Sequence, residues 1–155
     1  MADEIYLTKD GRNKLLKELE DLKKRRIVVT DEMARAREHG DLKENAEYHA
    51  AKETLTNVAK RIAELESKIS RSRLIEDQNL DSDTIYIGVK VKLKDQDSDE
   101  YEYTIVDVEE ADPSENKISI QSPLAQGLVG HREGDKVKVA LPRGEMEYKI
   151  IKISR

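Results

Sequence analysis

Two long stretches of this chain place apolar residues alternately four and three positions apart, and no proline or glycine breaks either one. The first runs Leu15, Leu19, Leu22, Val29, Met33 and Ala36, with Arg26 standing where one apolar position is skipped. The second runs Tyr48, Ala51, Leu55, Val58, Ile62, Leu65 and Ile69. A repeat averaging 3.5 residues holds one stripe of an α-helix against a partner, so each stretch predicts a helix with a coiled-coil seam. Only a short turn separates them, and two helices joined that way fold back as an antiparallel hairpin. With about 29 residues per arm at 1.5 Å per residue, the hairpin is roughly 40 Å long. Thr8 suits the N-cap of the first helix and Gly40 a left-handed C-cap.

Beyond Ile75 the period changes from helical to two. Glu76-Asp77-Gln78-Asn79 reads as a polar linker, followed by strand-like segments at 85–87, 89–93, 101–108, 117–121, 136–141 and 145–153. Turn chemistry separates them, as at Asp112-Pro113 and Pro142-Arg143-Gly144. Ser122 to Gly130 departs from the pattern and predicts a helical turn or two, ended by glycine. The expected class is α+β: a coiled-coil hairpin over residues 1–76, then a small antiparallel β domain with one short helix over residues 77–155.

Charged residues make up 39% of the chain against 37% hydrophobic, with no Trp and no Phe, so much of the surface is solvated for a small core. The absence of cysteine excludes disulfides, a thiolate nucleophile and Cys-ligated metal sites. No secretory leader pattern or membrane-length apolar run is present, which predicts a soluble, cytoplasmic protein with no membrane partner. The net charge of −5 is unevenly spread: residues 1–76 hold 17 Lys and Arg against 16 acids, residues 77–155 hold 11 against 17. A chain that coats nucleic acid is basic throughout, so any such contact here is confined to a patch.

The turn between the helices, from Ala36 to Ala50, holds two carboxylates, Asp41 and Glu44. Hard cations such as magnesium take carboxylate oxygens, but two acids are an incomplete shell and need ligands from a partner. The same spacing also fits a helix N-cap at Asp41 with Glu44 as its reciprocal partner, starting the second helix at Leu42. One residue can serve both ends. His39 and His49 flank the turn without a second His at helical spacing, and His131 is distant in sequence, so zinc is not indicated. Arg37, Lys43, Tyr48 and Lys52 lie near the turn and are candidates to touch phosphate or a protein partner, with Tyr48 equally suited to open the seam. Lys23-Lys24-Arg25-Arg26 is the densest positive run and wraps around its helix.

Three segments together carry a family resemblance: Leu7-Thr8-x-x-Gly11 followed by Leu15 to Leu19, the block Arg35 to Tyr48, and Ser122-Pro-Leu-Ala-x-Gly-Leu128. They resemble bacterial transcript cleavage and elongation factors of the GreA/GreB family, and the acidic total is like that of its GreA branch. The resemblance spans the chain and implies an FKBP-like C-terminal domain that docks on RNA polymerase, with Ser122 and Pro123 at the docking surface. It implies a hairpin that reaches through the secondary channel, where Asp41 and Glu44 help hold a magnesium ion shared with the polymerase. Lys23, Lys24, Arg25 and Arg26 would then face the 3′ end of backtracked RNA, with phosphate contacts indifferent to sequence. On this reading the protein is a monomer and no enzyme itself; it stimulates cleavage by the polymerase.

Four other readings compete. A prolyl isomerase needs an apolar aromatic cleft, for which the sheet domain has only Tyr86, Tyr101, Tyr103 and Tyr148. A free-standing hydrolase lacks groups to orient two carboxylates. A channel-binding inhibitor of polymerase without cleavage activity shares the architecture but carries a more acidic tip than Gly40-Asp41-Leu42-Lys43-Glu44-Asn45, and a coiled-coil adaptor would not need the acids.

Overall fold

The computed structural model describes residues 4–40, 44–77 and 83–155. The chain divides into two compact units, one of Arg12–Ser72 and one of Glu4–Gly11 with Arg73–Arg155.

In the first unit, helix α1 (Lys9–Arg37) and helix α2 (Ala46–Arg71) meet along the seam expected from the repeat. Leu15, Val29, Ala36, Ala51, Val58, Ile62 and Leu65 are buried, and the remaining seam positions are half-buried, with Arg26 alone exposed. Burying a Leu, Ile or Val side chain contributes about 1.5–3 kcal/mol, so this stripe is the main term holding the two helices together. Across it, the Arg61 guanidinium donates to both carboxylate oxygens of Glu18 at 2.9 and 3.2 Å. Ile27 and Val28 fall off the stripe and are exposed.

The second unit contains a two-stranded sheet of β1 (Ile5–Leu7) and β2 (Ser72–Leu74). The expected polar linker is thus partly structured, since β2 leads directly into a 3-10 turn at Ile75–Asp77. At the start of α1, Thr8 is the cap: the Gly11 N–H donates to its hydroxyl at 3.0 Å. The Thr8 N–H and hydroxyl both donate to the Glu110 carboxylate, the former at 3.0 Å, and the Lys9 N–H donates to Glu76. Glycine at position 11 leaves room for that carboxylate, because a Cβ would lie 2.3 Å from the Glu110 carboxyl carbon and displace it.

The larger sheet comprises β3 (Lys90–Asp95), β4 (Glu100–Val106), β5 (Lys117–Ser119), β6 (Lys136–Leu141) and β7 (Gly144–Ser154). Its order is β5-β4-β3-β7-β6, antiparallel except for the parallel β4–β5 pair. Period-two alternation sends Val91, Leu93, Ile105, Val137, Val139, Tyr148 and Ile150 to one face, where they form the core with helix α3 (Pro123–Leu128). Register slips once between β3 and β7, at Lys92/Leu93.

One expectation is corrected. Residues 85–87 are not a strand: Ile85 and Ile87 are buried, and the backbone makes a bridge from Thr84 to Arg132 and two hydrogen bonds between Ile85 and residues 130–131, but no ladder extends from them, and Gly88, at φ +93°, turns the chain away. The helical turn expected from Ser122 to Gly130 is α3, and Gly127 lies inside it, where a Cβ would meet Val139 at 2.8 Å, so glycine permits close approach of helix to sheet. The cap is Val129, and positive φ falls on Gly130.

Candidate functional site

The end of the hairpin is built by the last turn of α1 and the first of α2. Beyond Arg37 the helix tightens, with the Glu38 and His39 N–H groups donating three residues back to Arg35 and Ala36, each at 3.1 Å. Gly40 follows at φ +117°, beyond the helical turn and not directly at its last residue.

The expected helix start at Leu42 is corrected to Ala46, and the N-cap is Asn45. Its side-chain carbonyl accepts the Tyr48 N–H at 3.0 Å, while its amide nitrogen donates to the Ala36 carbonyl in the last turn of α1. An aspartate cannot do both, since a carboxylate only accepts. The asparagine therefore starts one helix and ties it to the end of the other.

Capping by Asn45 leaves Glu44 without that duty. Glu44 is exposed, one residue ahead of the cap, and lines an open hollow of about 490 Å³ with His39, Asn45, Ala46 and Glu47. Asp41 and Lys43 lie outside the described residues.

Of the expected cationic contacts, Arg37 sits over the Tyr48 ring at 5.7 Å and Lys52 is exposed on α2. Tyr48 is half-buried at the head of the seam, and its ring edge also meets His49. The basic run is split: Lys24 pairs with Glu20 at 3.1 Å and Lys23 with Glu66 at 3.5 Å, whereas Arg25 and Arg26 have no ion pair among the described residues. Arg25 instead borders a groove of about 460 Å³ with Arg35, His39, Glu32 and Glu47, so the structure adds Arg35, itself paired with Asp31, to the basic residues near the hairpin's end.

In the second unit, Ser122 caps α3 by accepting the Ala125 N–H at 3.2 Å, and Pro123 follows exposed at the first helical position. Ser122 also lines an open, mainly apolar groove of about 430 Å³ with Tyr103, Ala111, Pro113 and Ile118. His131 belongs to this unit and faces Asp135 at 3.4 Å. The Asp135 carboxyl is held below its ordinary range, first by the Arg132 N–H at 3.0 Å and then by His131.

A coiled-coil hairpin with an exposed carboxylate near its end, in one chain with a mixed five-stranded sheet, defines a class of two-unit α+β proteins. The family model described as "Transcription elongation factor, N-terminal" matches residues 5–74, and that described as "Transcription elongation factor, GreA/GreB, C-term" matches residues 80–155. The chain belongs to the GreA/GreB family of transcription elongation factors. It is 46% identical over 156 residues to transcription elongation factor GreA of Chlorobium limicola and 43% identical over the same length to that of Chlorobium phaeovibrioides, in both cases over 99% of this chain and 98% of the relative. It also aligns over 98% of its length with the crystal structure of GreA factor homolog 1 of Thermus thermophilus, covering 99% of that chain, at 29% identity and a TM-score of 0.46. Among the described residues no helix is long and apolar enough to cross a membrane.

Proposed function

We propose that this protein is a cytoplasmic factor that binds RNA polymerase as a monomer during elongation, inserts its hairpin through the secondary channel and stimulates cleavage of backtracked RNA. The observation that carries the reading is the release of Glu44 from helix capping: Asn45 does that work, and Glu44 is left exposed at the hairpin's end. A carboxylate so placed is a hard oxygen donor with no structural duty competing for it, which suits magnesium.

Asp41 and Glu44 supply two ligands to an ion completed by the polymerase's own acids. When bound, that magnesium supplies activation of water and charge neutralisation at the phosphate under attack. Arg37, Lys43 and Lys52, with Lys23 to Arg26 further along α1, offer phosphate contacts to the displaced RNA 3′ end. Docking falls to the segment of Ser122 and Pro123, where an apolar groove lies beside an exposed proline. The protein is then no nuclease by itself; bond cleavage belongs to the polymerase.

The test uses backtracked elongation complexes with magnesium. Wild-type protein is expected to accelerate release of the RNA 3′ fragment, and Asp41→Ala with Glu44→Ala to bind the complex without accelerating it. No acceleration by the wild type, or undiminished acceleration by the double variant, overturns the reading.

A further inference from the structure

The segment 77–155 is acidic, yet seven of its eleven Lys and Arg residues stand on one surface, the outer face of the five-stranded sheet. β3 contributes Lys90, Lys92 and Lys94, the alternate positions to buried Val91 and Leu93. β6 contributes Lys136 and Lys138 in the same way, opposite in phase to Val137 and Val139. β7 contributes Lys149 and Lys152, an odd spacing that a regular strand would send to opposite faces. The irregularity between β3 and β7 changes this: Lys94 pairs with Lys149, and Lys92 pairs with Lys152.

The register makes this surface more than a solvated strand face. Lys149 is opposite Lys94 on one side and opposite Lys136 on the other, so three ammonium groups form one row across three adjacent strands. Side chains directly opposite have Cβ atoms about 4.5–5.5 Å apart, and like charges there oppose folding. Lysines on an edge strand guard against unwanted pairing. That account covers β6, but β3 and β7 are interior strands. Four acids share the face: Glu102 and Glu100 on β4 pair with Lys90 and Lys92 at 3.5 and 3.4 Å, and Glu145 and Glu147 on β7 stand in the outward phase of Lys149, with Glu147 directly opposite Lys138. Lys94, Lys136, Lys149 and Lys152 have no ion pair among the described residues.

We propose that this lysine face binds the phosphate backbone of double-stranded DNA, without regard to sequence. Among the described residues no aromatic ring lies on it, because Tyr101, Tyr103 and Tyr148 share the inner-facing register of Leu93, Val91 and Ile150. Protein interfaces are built on apolar and aromatic anchors and are depleted in lysine, which disfavours an acidic protein as the occupant. Single strands are held by stacking on aromatic rings, which disfavours them too. The row of Lys94, Lys149 and Lys136, on strands about 4.8 Å apart, fits the sequence-independent phosphate contacts of a duplex. Because α3 packs on the opposite, inner face, such binding leaves Ser122 and Pro123 free.

The experiment needs no polymerase, so its outcome is independent of the cleavage reading. Full-length protein is titrated into a fluorescent 30-base-pair duplex and the anisotropy followed at several salt concentrations. With about four phosphate contacts, affinity should fall roughly 100-fold between about 50 and 200 mM salt. Lys94→Gln, Lys136→Gln, Lys149→Gln and Lys152→Gln together should weaken binding at least about ten-fold at low salt and flatten the salt slope. The charge-matched control, Lys23, Lys24, Arg25 and Arg26 all changed to Gln, should keep most of the affinity. Lys149→Glu alone should weaken binding while raising the thermal midpoint, since it turns two like pairs into two opposite ones. The proposal is overturned by absence of duplex binding at low salt, by a preference for single strands or polyglutamate, or by an equal loss in the control.

Discussion

Asn45 divides one side-chain amide between two helices, and that division sets where Glu44 stands. Asn45→Ser keeps an acceptor for the Tyr48 N–H but loses the donor to Ala36, whereas Asn45→Ala loses both. A lost cap costs about 1 kcal/mol, so thermal unfolding should show Asn45→Ala destabilised by that order and Asn45→Ser much less. Stimulated RNA cleavage at saturating factor should fall several-fold in both, because both release the end of α1 from the start of α2. Full activity in Asn45→Ser would leave Asn45 as a cap only. Gly11 makes a second case in which a single atom decides. Alanine there gains about 1 kcal/mol of helix propensity but displaces Glu110, whose hydrogen bonds to Thr8 are of the charged kind at about 1.5–3 kcal/mol. Urea unfolding should therefore report Gly11→Ala as less stable by about 1 kcal/mol, and equal or greater stability would refute the account.

At the scale of elements, legibility followed the range of the interactions. Both long helices were readable because their seam repeats over many turns, and β3, β4, β6 and β7 because alternation survives over six or more residues. The cap at Asn45 was missed because Asp41 and Glu44 match a local capping pattern, while the bond that favours Asn45 comes from Ala36, nine residues upstream. β1 and β2 were missed because three residues are too few to display a period. Ile85 and Ile87 alternate like a strand, but Gly88 turns the backbone before a ladder can form. The packing role of Gly127 was not legible, since nothing local reveals Val139 beneath it. Gly127→Ala should cost about 1–3 kcal/mol through overpacking, against the usual gain from alanine in a helix. Adding Val139→Ala should recover part of that loss, and a double-mutant cycle by chemical unfolding would show coupling; additive effects would rule out the close approach as the cause.

For the molecule as a whole, charge separates the conditions of folding from those of action. Asp135 has a lowered carboxyl pKa in the fold, owing first to the Arg132 N–H and then to His131. A lowered folded value means its stabilisation is complete above the ordinary carboxyl range near about 4 and is lost as pH falls through the folded value. Asp135→Asn should accordingly differ from wild type at neutral pH and converge with it in acid, a profile readable from thermal midpoints. The proposed function assigns binding to one unit and chemistry to the other. Ser122→Asp preserves an N-cap, since aspartate caps as well as serine, so the Ala125 N–H keeps its acceptor while a negative charge enters the proposed docking groove. The expected outcome is a rise of about ten-fold, near 1.4 kcal/mol, in the concentration giving half-maximal cleavage, with the maximal rate unchanged. Asp41→Asn with Glu44→Gln should do the opposite, leaving half-saturation in place, abolishing the rate and competing with wild-type protein for the complex. If Ser122→Asp instead lowered the maximal rate at unchanged half-saturation, the segment would act on the chemistry and the assignment of docking to the sheet unit would fall.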